Sequence, residues 1–234
     1  YSMRYRTGVP LVLRDISAKI PPGSRVGICG RTGSGKSSLF SALFRLVEPA
    51  SGCIKIDGVD TTSLGLTALR SRIAIIPQDP VMFVGTLRQN LDPFFQYQDE
   101  ELWDALRLCR MHDVIAQRPD KLEANVSESG HNFSQGERQL ICIARALLRK
   151  PKILLLDEAT ASIDMDTDNM VQGMIRQNFT KCTCLTIAHR LNTIADSDLI
   201  MVLDDGIISE FDTPANLLKR EESAYSEMVA ADHS

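Results

Sequence analysis

The sequence predicts an α/β fold built on a mostly parallel sheet flanked by helices. Short apolar runs typical of buried strands occur at 26–29, 54–56, 73–76, 153–156, 184–187 and 199–203. Patterns with helical spacing follow several of these runs, near 36–47, 137–149, 164–178 and 190–195. Strands that alternate with helices pair mainly in parallel, because each connecting helix crosses one face of the sheet.

Composition narrows the classes of protein and partner. The chain has 234 residues, 44% of them hydrophobic, which is enough for a substantial core. Its 26 basic and 30 acidic residues give a net charge of -4 without a run of like charges, so we expect no nucleic-acid partner. The apolar runs have strand length and fall short of the roughly 20 residues that cross a bilayer. The opening "YSMRYR" resembles a strand already under way, so we expect a piece of a longer polypeptide.

A helical insertion is predicted between about residues 92 and 150, where the strand signals stop. The run "DEELWDALRLC" carries apolar residues at helical spacing, and "MHDVIAQRP" ends at a proline that favours termination of a helix. We therefore expect a helical segment inserted into the α/β core.

The C-terminal segment predicts a hairpin followed by a closing helix. In "LIMVLDDGIISEF", two β runs meet at Asp205 and Gly206, a pair that type I′ hairpin turns prefer. In "DTPANLLKR", either Asp212 or Thr213 serves as the N-cap, and Pro214 occupies the first helical position.

The stretch "GRTGSGKSS", residues 30–38, has the spacing of a phosphate-binding loop. It follows the strand "RVGIC" and precedes the helix "SSLFSALFRLV", the context such a loop needs. Its glycines let successive backbone N–H groups face the phosphates, while Lys36 reaches the β and γ oxygens and the Ser37 hydroxyl ligates Mg²⁺. The alternative is a glycine-rich turn without a ligand. The phosphate-contacting set is Gly30, Arg31, Thr32, Gly33, Ser34, Gly35, Lys36, Ser37 and Ser38.

Two carboxylates at "KILLLDEATASID" form a second candidate centre of a P-loop NTPase. The apolar strand delivers Asp157 to the carboxyl edge of the sheet, where α/β sheets bind ligands, and Asp157 would hold Mg²⁺ directly or through water. Glu158 faces another direction and would orient and polarise an attacking water. The alternative for Glu158 is a glutamate that simply faces solvent.

Two further strand ends carry candidate polar side chains. Gln78 in "IIPQDP" lies between prolines, from where its amide would reach both the metal and the water. The alternative is a buried glutamine that caps backbone groups. His189 closes the strand "CLTIAH" and would project from the same sheet edge as Asp157, although a lone histidine at a strand end is more often structural.

A second phosphate-loop pattern occurs about a hundred residues downstream, in "NFSQGERQLICIARALLRK", residues 132–150. A small polar loop running into a helix presents unpaired N–H groups and the positive end of the helix dipole, which suit an anion. The residues alone do not decide which phosphate this loop contacts.

These motifs, in this order, resemble the nucleotide-binding domain of ATP-binding-cassette (ABC) proteins over essentially the whole chain. The resemblance implies an antiparallel β portion at the N-terminus, a catalytic core of about 1–91 and 151–234, and a helical subdomain of about 92–150. The matching motifs are a Walker A loop (30–37), a Q-loop (Gln78), a signature (133–137), a Walker B strand (153–157) with Glu158, a D-loop (161–164) and a switch histidine (His189).

Within that family the chain is most similar to the C subfamily, which contains the multidrug-resistance-associated proteins and sulfonylurea receptors. The segments "VGICGRTGSGKSS", "LRSRIAIIPQDPVMFVGTLRQNLDP" and "DEATASID" carry this similarity, and a glutamate at 158 points to the second nucleotide-binding domain. The resemblance implies membrane-spanning domains upstream, on whose cytoplasmic side this domain would lie. It also implies that Tyr5 stacks on adenine, with Tyr1 as the fallback and core packing as the alternative for both.

The family works as a head-to-tail pair, so the resemblance assigns the signature residues Ser134, Gln135, Gly136 and Glu137 to the ATP of a first nucleotide-binding domain. The signature departs from the usual L-S-G-G-Q, and we expect the bulk of Gln135 and the charge of Glu137 to weaken the grip on phosphate.

The Gln78–Asn90 region would receive the membrane-spanning domains, with an exposed Met82 or Phe83 as the docking surface. The alternative is that these apolar residues fold back on the domain's own core.

The activity implied by the resemblance is binding and hydrolysis of ATP with Mg²⁺, which would power transport. Lys36, Gln78, Glu158 and His189 would be the catalytic residues. Two alternatives stay open: a nucleotide-sensing regulatory domain of a channel-associated protein, and a soluble ABC ATPase that acts on DNA or ribosomes. The acidic net charge disfavours the second alternative.

Overall fold

The computed structural model describes residues 1–157, 165–188, 190–220 and 222–232, with the side chains of 165–169 and 232 left out. The strands are β1 (Arg25–Cys29), β2 (Lys55–Ile56), β3 (Val59–Asp60), β4 (Ile73–Ile76), β5 (Gly85–Thr86), β6 (Asn125–Val126), β7 (Ile153–Asp157), β8 (Thr183–Ile187), β9 (Leu199–Asp204) and β10 (Ile207–Asp212). The helices are α1 (Lys36–Leu43), α2 (Leu66–Arg70), α3 (Leu87–Leu91), α4 (Asp99–Leu108), α5 (His112–Ala116), α6 (Gln135–Arg149), α7 (Met165–Asn178), α8 (Pro214–Leu218) and α9 (Ala224–Asp232).

The chain forms two compact units. Unit 1 comprises 1–73 and 182–234, and unit 2 comprises 74–181. The six predicted strands and the helices at 36, 137 and 164 are present, so the α/β fold is confirmed. In the described part of the chain, no helix combines the length and apolar character needed to cross a bilayer.

In unit 1 the strands follow the order β10-β9-β1-β8, with β1 parallel to both of its neighbours. Val26 in β1 is paired with Leu185 on one side and Leu199 on the other. Both faces of β1 are covered from Val26 to Cys29, which is why these four residues carry no charged or polar alternation. On one face, β1 and β9 pack against Leu217 of α8 and Tyr225 of α9.

The C-terminal hairpin and its closing helix agree with the sequence prediction. Strand β10 pairs antiparallel with β9, and both turn residues have positive φ, 43° at Asp205 and 78° at Gly206, as a type I′ turn requires. Thr213 is the N-cap of α8, since its side chain accepts a hydrogen bond from the Asn216 N–H, and Pro214 follows in the first turn.

The N-terminal β portion of unit 1 is smaller than expected. Residues Lys55–Ile56 pair antiparallel with Val59–Asp60 in a short hairpin. The opening segment, predicted to be a strand, makes only two isolated antiparallel bridges, from Ser2 to Ser51 and from Met3 to Leu13.

In unit 2, helices α4 and α6 bury apolar faces in its core, and β7 lies next to β4. Strand β5 pairs antiparallel with β6, with Gly85 opposite Val126. Since β6 lies within 92–150, that segment contains a strand as well as helices. The Leu87 N–H also donates to the Ala124 carbonyl, at 2.9 Å, which continues this small ladder into the start of α3.

Two predicted helices differ from the structure. The helix expected at 190–195 is wrong: this stretch forms a single 3₁₀ turn, Leu191–Thr193, because asparagine and threonine favour turns over helix interiors. Helix α1 ends at Leu43 instead of extending to 47. Just beyond it, Arg45 adopts a left-handed conformation with φ 49° and donates to the Thr61 carbonyl at 3.0 Å.

The turn glycine Gly206 supports a test of the hairpin's packing. A β-carbon at Gly206 would lie 2.2 Å from the Val12 carbonyl oxygen, whereas one at Gly23, with nearly the same φ (74° against 78°), meets nothing within 4 Å. We expect Gly23→Ala to cost roughly 1–2 kcal/mol of unfolding free energy from backbone strain alone. Gly206→Ala should cost about 1–3 kcal/mol more, because the clash adds to the strain. Equal losses in urea denaturation would contradict the packing described.

Candidate nucleotide-binding site

The backbone of the phosphate loop has a conformation that only glycine adopts without strain. Gly30, Gly33 and Gly35 have φ angles of 140°, 83° and 104°. A β-carbon at Gly30 would lie 2.1 Å from the Leu203 carbonyl oxygen. Helix α1 begins at Gly35 without a side-chain cap, so the N–H groups of its first turn point into the loop without a side-chain acceptor. Such an N-terminus suits an anion.

Two polar side chains face the inside of this loop. The Lys36 ammonium is buried and donates to the Gly30 carbonyl at 2.7 Å and to the Arg31 carbonyl at 3.0 Å. The Ser34 hydroxyl oxygen is buried and has no hydrogen-bond partner in the described part of the chain. A buried hydroxyl without a partner is costly, so its place in the loop fits an incoming phosphate oxygen.

Tyr5 lies beside the phosphate loop, where only the family resemblance had placed it. Its hydroxyl is 2.9 Å from the Ser38 hydroxyl, and half of the Tyr5 side chain stays exposed. An exposed ring next to the loop is available for stacking. Tyr1, the fallback, is partly buried, and its N-terminal amine donates to the Ile16 carbonyl at 2.8 Å. Arg31, Thr32 and Ser37 are exposed.

The residues predicted to contact the metal or the attacking water differ in burial, and two of them lie outside the described part of the chain. Asp157 is the last residue of β7 and is partly buried. Gln78 follows β4 by two residues and is exposed, so the alternative of a buried glutamine that caps backbone is wrong. Glu158 and His189 lie outside the described residues.

The signature loop is organised by a reciprocal capping box at the start of α6. The Ser134 hydroxyl oxygen accepts from the Glu137 N–H at 3.2 Å, and the Glu137 carboxylate accepts from the Ser134 N–H at 2.6 Å. Because Ser134 Oγ acts only as an acceptor here, its O–H remains able to donate to a ligand. Gln135 and Gly136 occupy the first turn and are partly exposed. The S-x-x-E spacing is a recognisable sequence signal that our sequence analysis did not use.

Arg118, which the sequence analysis missed, contacts both ends of the signature. Its guanidinium lies 4.0 Å from the centroid of the buried Phe133 ring and 3.9 Å from the second Glu137 carboxylate oxygen. The negative charge of Glu137 is therefore offset by more than the helix N-terminus, since one carboxylate oxygen caps the helix and the other faces a cation.

A second missed contact joins the signature helix to the Q-loop. Gln139 is buried on α6, and its side-chain N–H donates to the Pro77 carbonyl at 3.3 Å, one residue before Gln78. Because the contact spans 62 residues in sequence, no local pattern could have revealed it.

A glycine-shaped phosphate loop between a strand and a helix N-terminus is the defining feature of a P-loop nucleotide-binding protein. The family model described as "ABC transporter" matches residues 13–161. The chain belongs to the ABC transporter family, whose ATP-binding domains are ATPases.

Curated relatives and a solved structure agree with this assignment. The chain is 56% identical to ATP-binding cassette sub-family C member 3 from Homo sapiens, over 93% of the chain and 14% of that protein. It is also 56% identical to multidrug resistance protein mrp-7 from Caenorhabditis elegans, over 98% of the chain and 15% of that protein. A bacterial Atm1-family ABC exporter with ATP bound matches with a TM-score of 0.90 and 37% identity, over the whole chain and 41% of the exporter chain. The chain thus spans about one seventh of the curated relatives' length.

The capping box makes a prediction about Glu137. Glutamine also accepts the Ser134 N–H, so Glu137→Gln should cost only about 0.3 kcal/mol, from the lost charge at the helix N-terminus and its long 3.9 Å pairing with Arg118. Glu137→Ala removes that acceptor and should cost about 0.5–2 kcal/mol. Urea denaturation of both variants measures the difference. Equal destabilisation by both substitutions would mean that the charge of Glu137 matters, and not its hydrogen bond.

Proposed function

We propose that this chain is the second nucleotide-binding domain of a C-type ABC transporter, and that its ATP hydrolysis powers transport. The observation that carries the proposal is the phosphate loop. Its helix N-terminus has no side-chain cap and its buried Ser34 hydroxyl has no hydrogen-bond partner among the described residues, so both can bind an anion. The similarity to C-subfamily proteins supports the choice of transporter type. The domain would act at the cytoplasmic face of a membrane.

In this proposal the phosphate loop holds the ATP phosphates. The N–H groups of residues 30–38 and the Lys36 ammonium contact the phosphate oxygens, and Tyr5 stacks on the adenine ring. Binding then exchanges the carbonyl contacts of Lys36 for contacts to phosphate, so the loop needs little rearrangement. A preformed loop lowers the entropic cost of binding.

Ser37, Gln78 and Asp157 would hold Mg²⁺, since hydroxyl, amide and carboxylate oxygens are the ligands this ion prefers. When bound, the ion would neutralise the negative charge that develops on the phosphate oxygens during hydrolysis. Glu158 would orient and polarise the attacking water, and His189 would contact the same water or the γ-phosphate.

The signature would serve a second ATP, bound by the first nucleotide-binding domain in a head-to-tail pair. The Ser134 O–H and the backbone of Gly136 would contact the phosphate, since the Glu137 N–H already donates to Ser134 Oγ. Because Arg118 and the helix N-terminus offset the Glu137 charge, the altered signature can still approach a phosphate.

The Gln78–Asn90 region would receive the membrane-spanning domains. Of its apolar residues, Val81, Phe83 and Val84 are exposed, by 52%, 61% and 71% of their surface. Of the two residues expected to form the docking surface, Phe83 is exposed, whereas Met82 is buried and follows the alternative of packing on the domain's own core.

Substitution of Glu158 tests the hydrolytic role. We expect Glu158→Gln in the full-length protein to keep ATP binding and to lose turnover about 100-fold or more, because the amide cannot polarise water. Radioactive ATP binding and phosphate release measure the two properties. The exposed Glu128, changed to glutamine, provides the matched control. Near-normal turnover in Glu158→Gln would assign the catalytic role to another residue.

Dependence on protein concentration tests the shared-site arrangement. The 234-residue chain by itself should hydrolyse ATP slowly, with a specific activity that rises with chain concentration, because its own site lacks the partner's signature. Phosphate release over a range of chain concentrations measures the specific activity. The Lys36→Ala variant gives the background rate of phosphate release without a functional phosphate loop. Brisk turnover per chain that does not vary with concentration would contradict the arrangement.

A further inference from the structure

The segment between the Q-loop and α3 has no regular hydrogen-bonded structure at residues 81–84, yet its backbone is held in place. Asn90, a buried residue of α3, is the first element that holds it. The Asn90 amide oxygen accepts from the Phe83 N–H at 2.9 Å, and its NH₂ group donates to the carbonyls of Phe83 at 2.8 Å and Thr86 at 3.0 Å. The side chain of Asn90 thus pairs with both backbone polar groups of Phe83, as a neighbouring strand would.

Arg145, about two turns after the signature on α6, is the second element. Its guanidinium donates to the Asn90 amide oxygen at 2.8 Å, and also to the backbone carbonyls of Asn90 and Val81. A further N–H lies 3.5 Å from the Met82 sulfur, and the group lies 5.7 Å from the centroid of the Phe83 ring. We call Asn90 and Arg145 together the loop clamp.

The clamp uses the hydrogen-bonding capacity of Asn90 completely. Its oxygen accepts two bonds, from Phe83 and Arg145, and its NH₂ group donates two. Arg145 donates to carbonyl, amide and sulfur acceptors, and burial lowers the pKa of its guanidinium by desolvation. Because these acceptors carry no net charge, Arg145 forms no salt bridge with them. Its role is to hold the backbone of the segment in a fixed geometry through its hydrogen bonds.

The fixed geometry decides which apolar side chains are displayed. With the backbone of Val81 and Phe83 anchored, Met82 turns inward while Val81, Phe83 and Val84 stay exposed. Without the clamp, this apolar stretch would be free to collapse onto the surface of its own unit.

We propose that Arg145 and Asn90 are positioning residues that hold the exposed residues Val81, Phe83 and Val84 in the arrangement that the membrane-spanning domains contact. This inference rests on the docking role given to the Gln78–Asn90 region under the proposed function. It adds a direct link between the helix that carries the signature at its N-terminus and the docking surface. The residues involved all belong to unit 2.

Thiol labelling in the full-length protein tests the inference. A Val84→Cys reporter replaces a highly exposed residue that lies outside the clamp. Its rate of reaction with N-ethylmaleimide is measured by mass spectrometry relative to the exposed Cys53 of the same chain. The buried Cys109, whose pKa is raised to about 12 by burial, reports whether the unit stays folded.

We expect the reporter to react slowly in the otherwise unchanged protein, because the membrane-spanning domains cover it. Adding Arg145→Lys or Asn90→Asp should accelerate its reaction about tenfold or more while Cys109 stays unreactive. Arg149→Lys, an exposed position one turn further along α6, is the matched control and should leave the rate unchanged.

The possible failures are distinguishable. A reporter that already reacts as fast as Cys53 before the clamp is altered would overturn the docking role in the proposed function. A reporter that stays slow in both clamp variants would overturn the inference alone. Reaction of Cys109 in both variants would also overturn it, since the clamp would then hold the fold of the whole unit and not the displayed surface.

Discussion

The unpaired N–H groups at the start of a helix must find acceptors, and this constraint shapes both the phosphate loop and the signature loop of the chain. The two loops meet it in opposite ways. Helix α1 starts at Gly35 without a side-chain cap, whereas α6 starts at Ser134 with a complete capping box. The first N-terminus is open to an anion from the outset. The second has two of its N–H donors satisfied within the capping box, while the Ser134 hydroxyl is still able to donate.

In the proposed function, the contacts of Arg118 and the capping box offset two signature residues that look unfavourable in sequence. Glu137 would repel phosphate if its carboxylate were free, but one oxygen closes the capping box and the other faces Arg118. Phe133 fills a buried position and also contacts the Arg118 guanidinium. Arg118 therefore contacts two of the residues, Phe133 and Glu137, at which the signature departs from the usual motif. A substitution at any one of these three positions changes the surroundings of the other two.

The sequence predicted features set by neighbouring residues and missed those set by distant ones. The hairpin turn at Asp205 and Gly206 follows from local backbone preferences, and the phosphate loop follows from glycine spacing, so both were predicted correctly. The helix expected at 190–195 was wrong because the buried Leu191 and Ile194 gave the stretch a helical apolar spacing, while the asparagine and threonine between them favour the single turn that forms. The contact of Gln139 with Pro77 spans 62 residues and leaves no periodic trace.

The loop clamp contacts chiefly backbone atoms of the segment it holds. Asn90 bonds to the N–H and C=O of Phe83, and Arg145 bonds to the carbonyl of Val81, so neither needs a particular side chain at those positions. The clamp residues therefore set the backbone shape of the segment, while its exposed side chains set the surface that a partner would contact. Under the proposed docking role, the exposed side chains could change to suit a different membrane-spanning partner while the backbone of the segment keeps its shape, so one domain scaffold could be matched to partners with dissimilar surfaces.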